Sequence, residues 1–209
     1  MLKRAAAEFF GTAFMVSVGC YSVILGWPGW AISLTFGLAV TLAILAVGNI
    51  SGAHINPAVS MAFWRSGHLE SKAVVPYISA QLFGGLTGGY LVSGVGATTI
   101  SDDLSIISGW GIEIAITFAL MASIFFIVHK STDLKIIAIW VGATVALIAY
   151  LFGPLTGASM NPARSFGPNI FAGETASLPL FFIACTIGAV LASELYWRKF
   201  GKQQSESSE

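Results

Sequence analysis

Apolar residues in this chain run in long blocks instead of alternating or recurring on one helical face. Six blocks, at about 5–25, 31–49, 73–95, 110–129, 134–152 and 177–198, each approach the roughly 20 residues a helix needs to cross a bilayer. Two shorter apolar stretches, about 56–66 and 161–171, both open on Asn-Pro-Ala. Pro57 and Pro162 therefore fall in a first helical turn, where a missing N–H costs nothing. These stretches are too short to span and read as half-helices that re-enter the membrane. The pattern predicts an all-α membrane protein of six transmembrane helices plus two re-entrant half-helices. The basic start Lys3-Arg4 resembles a signal peptide, but the block after it is long and carries Glu8, so it reads as the first span.

Composition excludes the soluble alternatives. Hydrophobic residues make up 56% of the 209 and charged residues 10%, against roughly 45–50% and about 25% in a soluble domain. Ten basic and ten acidic side chains cannot coat a water-soluble surface, so the expected solvent is the lipid bilayer. With a formal net charge of zero there is no basic footprint for nucleic acid. Cys20 and Cys185 each sit inside an apolar run with neither CxxC nor metal-ligand spacing and read as packed thiols. No GxSxG, HExxH, Walker or zinc-spaced set occurs, so the chain is not expected to be an enzyme or to carry a cofactor or metal.

Charge position sets orientation. Lys3, Arg4, Arg65, Lys72, Lys130, Lys135, Arg198, Lys199 and Lys202 fall in the end and loop regions that an even number of spans places on one face. The positive-inside rule makes that face cytoplasmic, giving a multi-pass cell-membrane protein with both termini inside. Asp102, Asp103 and Glu174 fall on the other face. Arg164 is the one basic exception. We expect one transmembrane domain over 1–202 and a disordered cytoplasmic tail at 203–209.

An offset of 105 residues aligns the chain with itself. Glu8 falls on Glu113, Thr12 on Thr117, Gly37 on Gly142, and SGAHINPAVS (51–60) on TGASMNPARS (156–165). Each copy, about 1–97 and 106–202, holds three spans, so the second is inverted relative to the first. Inverted repeats place a site near the midplane, where interrupted helices from the two halves meet. Non-helical backbone at that depth must be buried in protein or line a cavity. We therefore expect Asn49–Ile55 and Gly153–Met160 to line one, with Gly52, Ala53, His54, Gly157 and Ser159 supplying backbone. Asn56 and Asn161 should cap the half-helices and keep amide N–H groups to donate. Water satisfies such a path, whereas a dehydrated cation meets two positive helix ends.

Two Asn-Pro-Ala boxes in an inverted repeat (Asn56, Pro57, Ala58 and Asn161, Pro162, Ala163), the second followed by Arg164, resemble the aquaporin (major intrinsic protein) superfamily. The resemblance covers nearly the whole chain and looks microbial in type. It implies an aquaporin-like bundle, a homotetramer with a pore in each subunit, and a four-residue selectivity filter at Phe36, Ala149, Ala158 and Arg164. Ala149 departs from the His usual in water-selective relatives, and the set does not match the Trp/Gly/Phe/Arg of glycerol channels either. Ser165, Phe181 and Phe182 lean toward the water branch. The implied function is a passive channel for water and for small uncharged solutes (ammonia, urea, glycerol or metalloid hydroxides) that excludes ions and protons.

Three readings stay open at this point. Glu8 and Glu113 are either braces for the non-helical segments or the proton carriers of a secondary transporter built on the same repeat. Arg164 either faces the pore or pairs with a loop acid such as Glu174. The His54 imidazole either contacts the pore or bonds a neighbour.

Overall fold

The computed structural model describes residues 1–201; Lys202 and the expected tail at 203–209 lie outside the described residues. The described residues form helices and no strands: α1 (Leu2–Ile24), α2 (Gly29–Ser51), α3 (Pro57–Arg65), α4 (Ser71–Leu91), α5 (Ile106–Lys130), α6 (Leu134–Thr156), α7 (Pro162–Ala172) and α8 (Leu178–Tyr196). Five of them are long and apolar enough to cross a membrane. The sixth expected span, α4, has the length at 21 residues, but its glycines, Gln81 and its serine and threonine residues lower its hydropathy. The glycines serve helix packing and Gln81 a buried hydrogen bond, as shown below.

Surface and core are inverted relative to a soluble protein. Leu2, Val75 and Ile107 are exposed, whereas Glu8, Gln81, Glu113 and Asn169 are fully buried. Apolar surface on this scale suits lipid, and buried polar groups need internal partners.

The two copies interlock. In the first, α1 packs on α2 and α4; in the second, α5 packs on α6 and α8. The copies meet along α2 and α6, where Gly37 and Gly142, equivalent in the repeat, bring the backbones together; a side chain on either would overlap the other's carbonyl. Each half-helix also packs on the last helix of the other copy, α3 on α8 and α4 on α7. Glycines permit the second of these contacts. Gly85 faces the Ala163 carbonyl and Gly89 faces Gly167, while Gly84 and Gly88 receive α1.

Helix ends correct the expected limits of the non-helical segments. We expected these to begin at Asn49 and Gly153, but α2 continues to Ser51 and α6 to Thr156. Gly52 and Gly157 stop them, each in the left-handed conformation with its N–H on the carbonyl of Gly48 or Gly153. A left-handed glycine is what ends such a helix. Pro154 is accommodated inside α6.

At one end of the bundle, ion pairs tie three segments together. Glu70 takes Lys72 at 2.7 Å and Arg4 at 3.3 Å, and Glu194 takes Arg65 and Arg198. These pairs gather basic residues from the start of α1, the end of α3, the start of α4 and the segment after α8.

Candidate functional site: a channel between two half-helices

Asparagine side chains begin both half-helices. Asn56 Oδ1 accepts from the Ala58 N–H at 2.9 Å, and Asn161 Oδ1 accepts from Ala163 and Arg164 at 3.0 and 3.3 Å. Pro57 and Pro162 follow directly at the first helical position. The amides then cross between copies: Asn56 Nδ2 donates to the Met160 carbonyl at 2.8 Å and Asn161 Nδ2 to the Ile55 carbonyl at 2.9 Å. Each –NH2 thus spends one proton locking the half-helices tip to tip and keeps one for the cavity. The sequence pattern shows the caps; it does not show this reciprocal lock.

The approach to each tip is strained in the same way. Gly52, Ala53 and Ile55 in one copy, and Gly157, Ala158 and Met160 in the other, all have positive φ. Each of the four non-glycine residues costs roughly 1–3 kcal/mol and persists only if its surroundings hold it. The two glutamates do so. Glu8 Oε1 and Oε2 accept from the N–H groups of His54 (3.0 Å) and Ile55 (2.6 Å). Glu113 Oε1 and Oε2 accept from those of Ser159 (2.9 Å) and Met160 (3.1 Å). Further donors complete each shell: Gln81 Nε2 at 2.8 Å on Glu8, and Thr156 Oγ1 at 2.6 Å on Glu113. Gln81 was not singled out in the sequence, where a lone amide in an apolar span has no signature.

Between these segments lies a cavity of about 640 Å³ lined from one end of α2 to the other, Gly29 to Gly48. Every expected backbone contributor (Gly52, Ala53, His54, Gly157, Ser159) lines it, as do Asn56 and Asn161. Pro57, Ala58, Pro162 and Ala163 are buried behind it as the first turns of the half-helices. His54 lines the cavity as a residue, and its imidazole bonds a neighbour: Nδ1 lies 3.1 Å from Ser60 Oγ.

Phe36, Ala149, Ala158 and Arg164 come together on this cavity from α2, α6, the second non-helical segment and α7. Arg164 is 7% exposed. Its Nη1 donates to the Gly96 carbonyl at 2.6 Å, and its Cζ stands 4.7 Å from the centroid of the Phe36 ring. Among the described residues it pairs with no carboxylate, so the bridge to Glu174 does not form. Cys20 and Cys185 are free and buried.

Fold and site together define a multi-pass membrane protein with a cavity at the junction of an inverted repeat. The profile of the family described as Major intrinsic protein matches residues 1–196, and the chain belongs to that family of membrane channels. It is 36% identical to aquaporin AqpM of Methanothermobacter marburgensis, over 94% of this chain and 96% of that one. It is 39% identical to mouse aquaporin-4 over 93% of this chain and 66% of that one. It is also 31% identical to the glycerol uptake facilitator of Haemophilus influenzae, over 93% and 92%. The aquaglyceroporin of Plasmodium falciparum shares the fold, with a TM-score of 0.86 at 22% identity over 93% of this chain and 95% of that one.

Proposed function

We propose that this protein is a passive channel for water that also passes small uncharged solutes such as ammonia, urea, glycerol or metalloid hydroxides, and excludes ions and protons. The observation that carries the reading is the polar waist of an otherwise apolar cavity. There the Asn56 and Asn161 amides and the positive half-helix ends supply donors and positive potential, and the Arg164 guanidinium adds to both toward one end of the cavity. A neutral molecule that accepts hydrogen bonds is served at such a waist, and a cation stripped of water is opposed. Phe36, Ala149, Ala158 and Arg164 form the filter on this reading. The methyl of Ala149 leaves space and no polar contact there, which favours solutes larger than water. Ser165, Phe181 and Phe182 keep the chain nearer the water branch.

The glutamates favour a channel over a proton-coupled transporter. Both carboxylates are occupied by backbone N–H groups, and among the described residues neither forms an ion pair with a basic side chain. Basic residues gathered at one end support an orientation with both termini in the cytoplasm. Family kinship supports a homotetramer.

Stopped-flow light scattering on proteoliposomes tests the function. Fast osmotic shrinkage with low activation energy, indifferent to a pH gradient, is the expected result. Shrinkage no faster than in protein-free vesicles, or uptake driven by a proton gradient, would overturn it.

A further inference from the structure

We propose, on the channel reading above, that Gly19 of α1 is a specificity-determining positioning residue: it leaves a notch that holds the Phe36 ring back from the pore axis. Gly19 is buried and does not line the cavity; Phe36 does. The ring lies between the two. A methyl group on Gly19 would overlap ring carbons Cδ1, Cε1 and Cζ of Phe36. Phe36 also lines the cavity, and its ring carries the Arg164 guanidinium, 4.7 Å from its centroid. A side chain at position 19 pushes the ring off α1, and on this proposal the ring moves toward the pore that Phe36 lines.

Two further observations point the same way. The next residue, Cys20, backs the other partner of Arg164: a Cβ on Gly96, at φ +83°, would stand 2.9 Å from Cys20 Sγ, and the Gly96 carbonyl accepts from Arg164. Gly19 and Cys20 thus set the ring and the carbonyl that hold the guanidinium. The repeat supplies the comparison. At the offset of 105, Gly19 falls on Ile124 and Phe36 on Val141. Where the pore-facing residue of α2 is large, its α1 counterpart has no side chain; where that of α6 is small, α5 supplies a bulky one. The volumes trade places, as close packing requires.

The test is a double-mutant cycle between Gly19 and Phe36, read as water and urea permeability of proteoliposomes. The unmodified protein is assayed first. Background permeability there overturns the channel reading and this role with it. Given a conducting protein, G19A should lower water permeability severalfold and urea permeability further, and G19A added to F36V should leave the permeabilities of F36V unchanged. Unaltered permeabilities in folded G19A would overturn the role of Gly19 and leave the channel reading intact. If G19A fails to fold, the comparison of F36V with G19A/F36V decides. Equal permeability supports the notch; failure of the double variant to fold means that Gly19 packs against something other than the ring, and overturns it.

Discussion

The two ends of the channel are the same structure built twice and furnished differently. The offset of 105 carries Phe36, Ala149, Ala158 and Arg164 onto Val141, Ile44, Ala53 and Val59, and all eight residues line the cavity. One quartet holds an aromatic ring and a buried guanidinium; the other is entirely aliphatic. The supports of the two half-helices have nevertheless stayed alike, with a glutamate on two successive N–H groups, an asparagine cap and a positive-φ approach in each. Scaffold symmetry is kept where backbone must be satisfied. It is broken at the quartet that the proposed reading makes the filter.

The largest effect is expected where the ends agree. Glu8→Gln and Glu113→Gln each exchange one acceptor oxygen for a donor facing a buried N–H. An unsatisfied buried donor costs about 1–3 kcal/mol, and the strained turn beside it loses its anchor. Both variants should lose most of their folded protein, measured as monodisperse yield in detergent, and by similar amounts. A mild loss in one and a severe loss in the other would show that the halves are braced unequally.

The next pair of variants exchanges the ends. Arg164→Val makes the filter as aliphatic as its counterpart, and it should raise proton conductance while water permeability is largely retained. Val59→Arg puts a second cation at the opposite end, and should lower water permeability with proton exclusion intact. Pyranine-loaded proteoliposomes separate the two. Unchanged proton conductance in Arg164→Val would assign proton exclusion to the half-helix ends and the asparagines alone.

What could be read in the sequence follows the range of each interaction. Caps and first-turn prolines are local, so Asn56-Pro57 and Asn161-Pro162 declare half-helices by themselves. Glu8 and Glu113 act on backbone 46 and 47 residues away, and only their repetition makes them visible. The acceptor of Arg164 leaves no trace at all, because Gly96 acts through a carbonyl that every residue has. The same holds for Met160 and Ile55 in the lock between half-helices. The ends of α2 and α6 were misplaced because polar or helix-breaking residues (Asn49, Ser51, Gly153, Pro154) precede the glycines that stop them.

A smaller effect is expected from Ala149→His, which fills the filter and adds a polar contact. The ratio of urea to water permeability should fall severalfold. A constant ratio would remove Ala149 from the constriction and leave size selection to Phe36 and Arg164.

The smallest effect distinguishes the ends by acid. His68, in the α3–α4 connection, lines the basic end of the cavity among Phe63, Phe125 and Tyr196. Burial pushes its pKa below the ordinary histidine value, outweighing the bond with Ser66 that raises it. The folded protein therefore binds fewer protons than the unfolded chain once the pH falls below about 6.5, and stability drops from there toward the depressed native pKa. The ion pairs at this end respond lower: Lys72 holds the Glu70 carboxyl below the usual range, so its contribution fades only in stronger acid. The thermal denaturation midpoint in detergent should fall by a few degrees between about pH 7 and pH 5, and His68→Gln should flatten that slope. No histidine stands among the four residues at the Arg164 end. An undiminished slope in His68→Gln would overturn the assignment of the acid sensitivity to this imidazole.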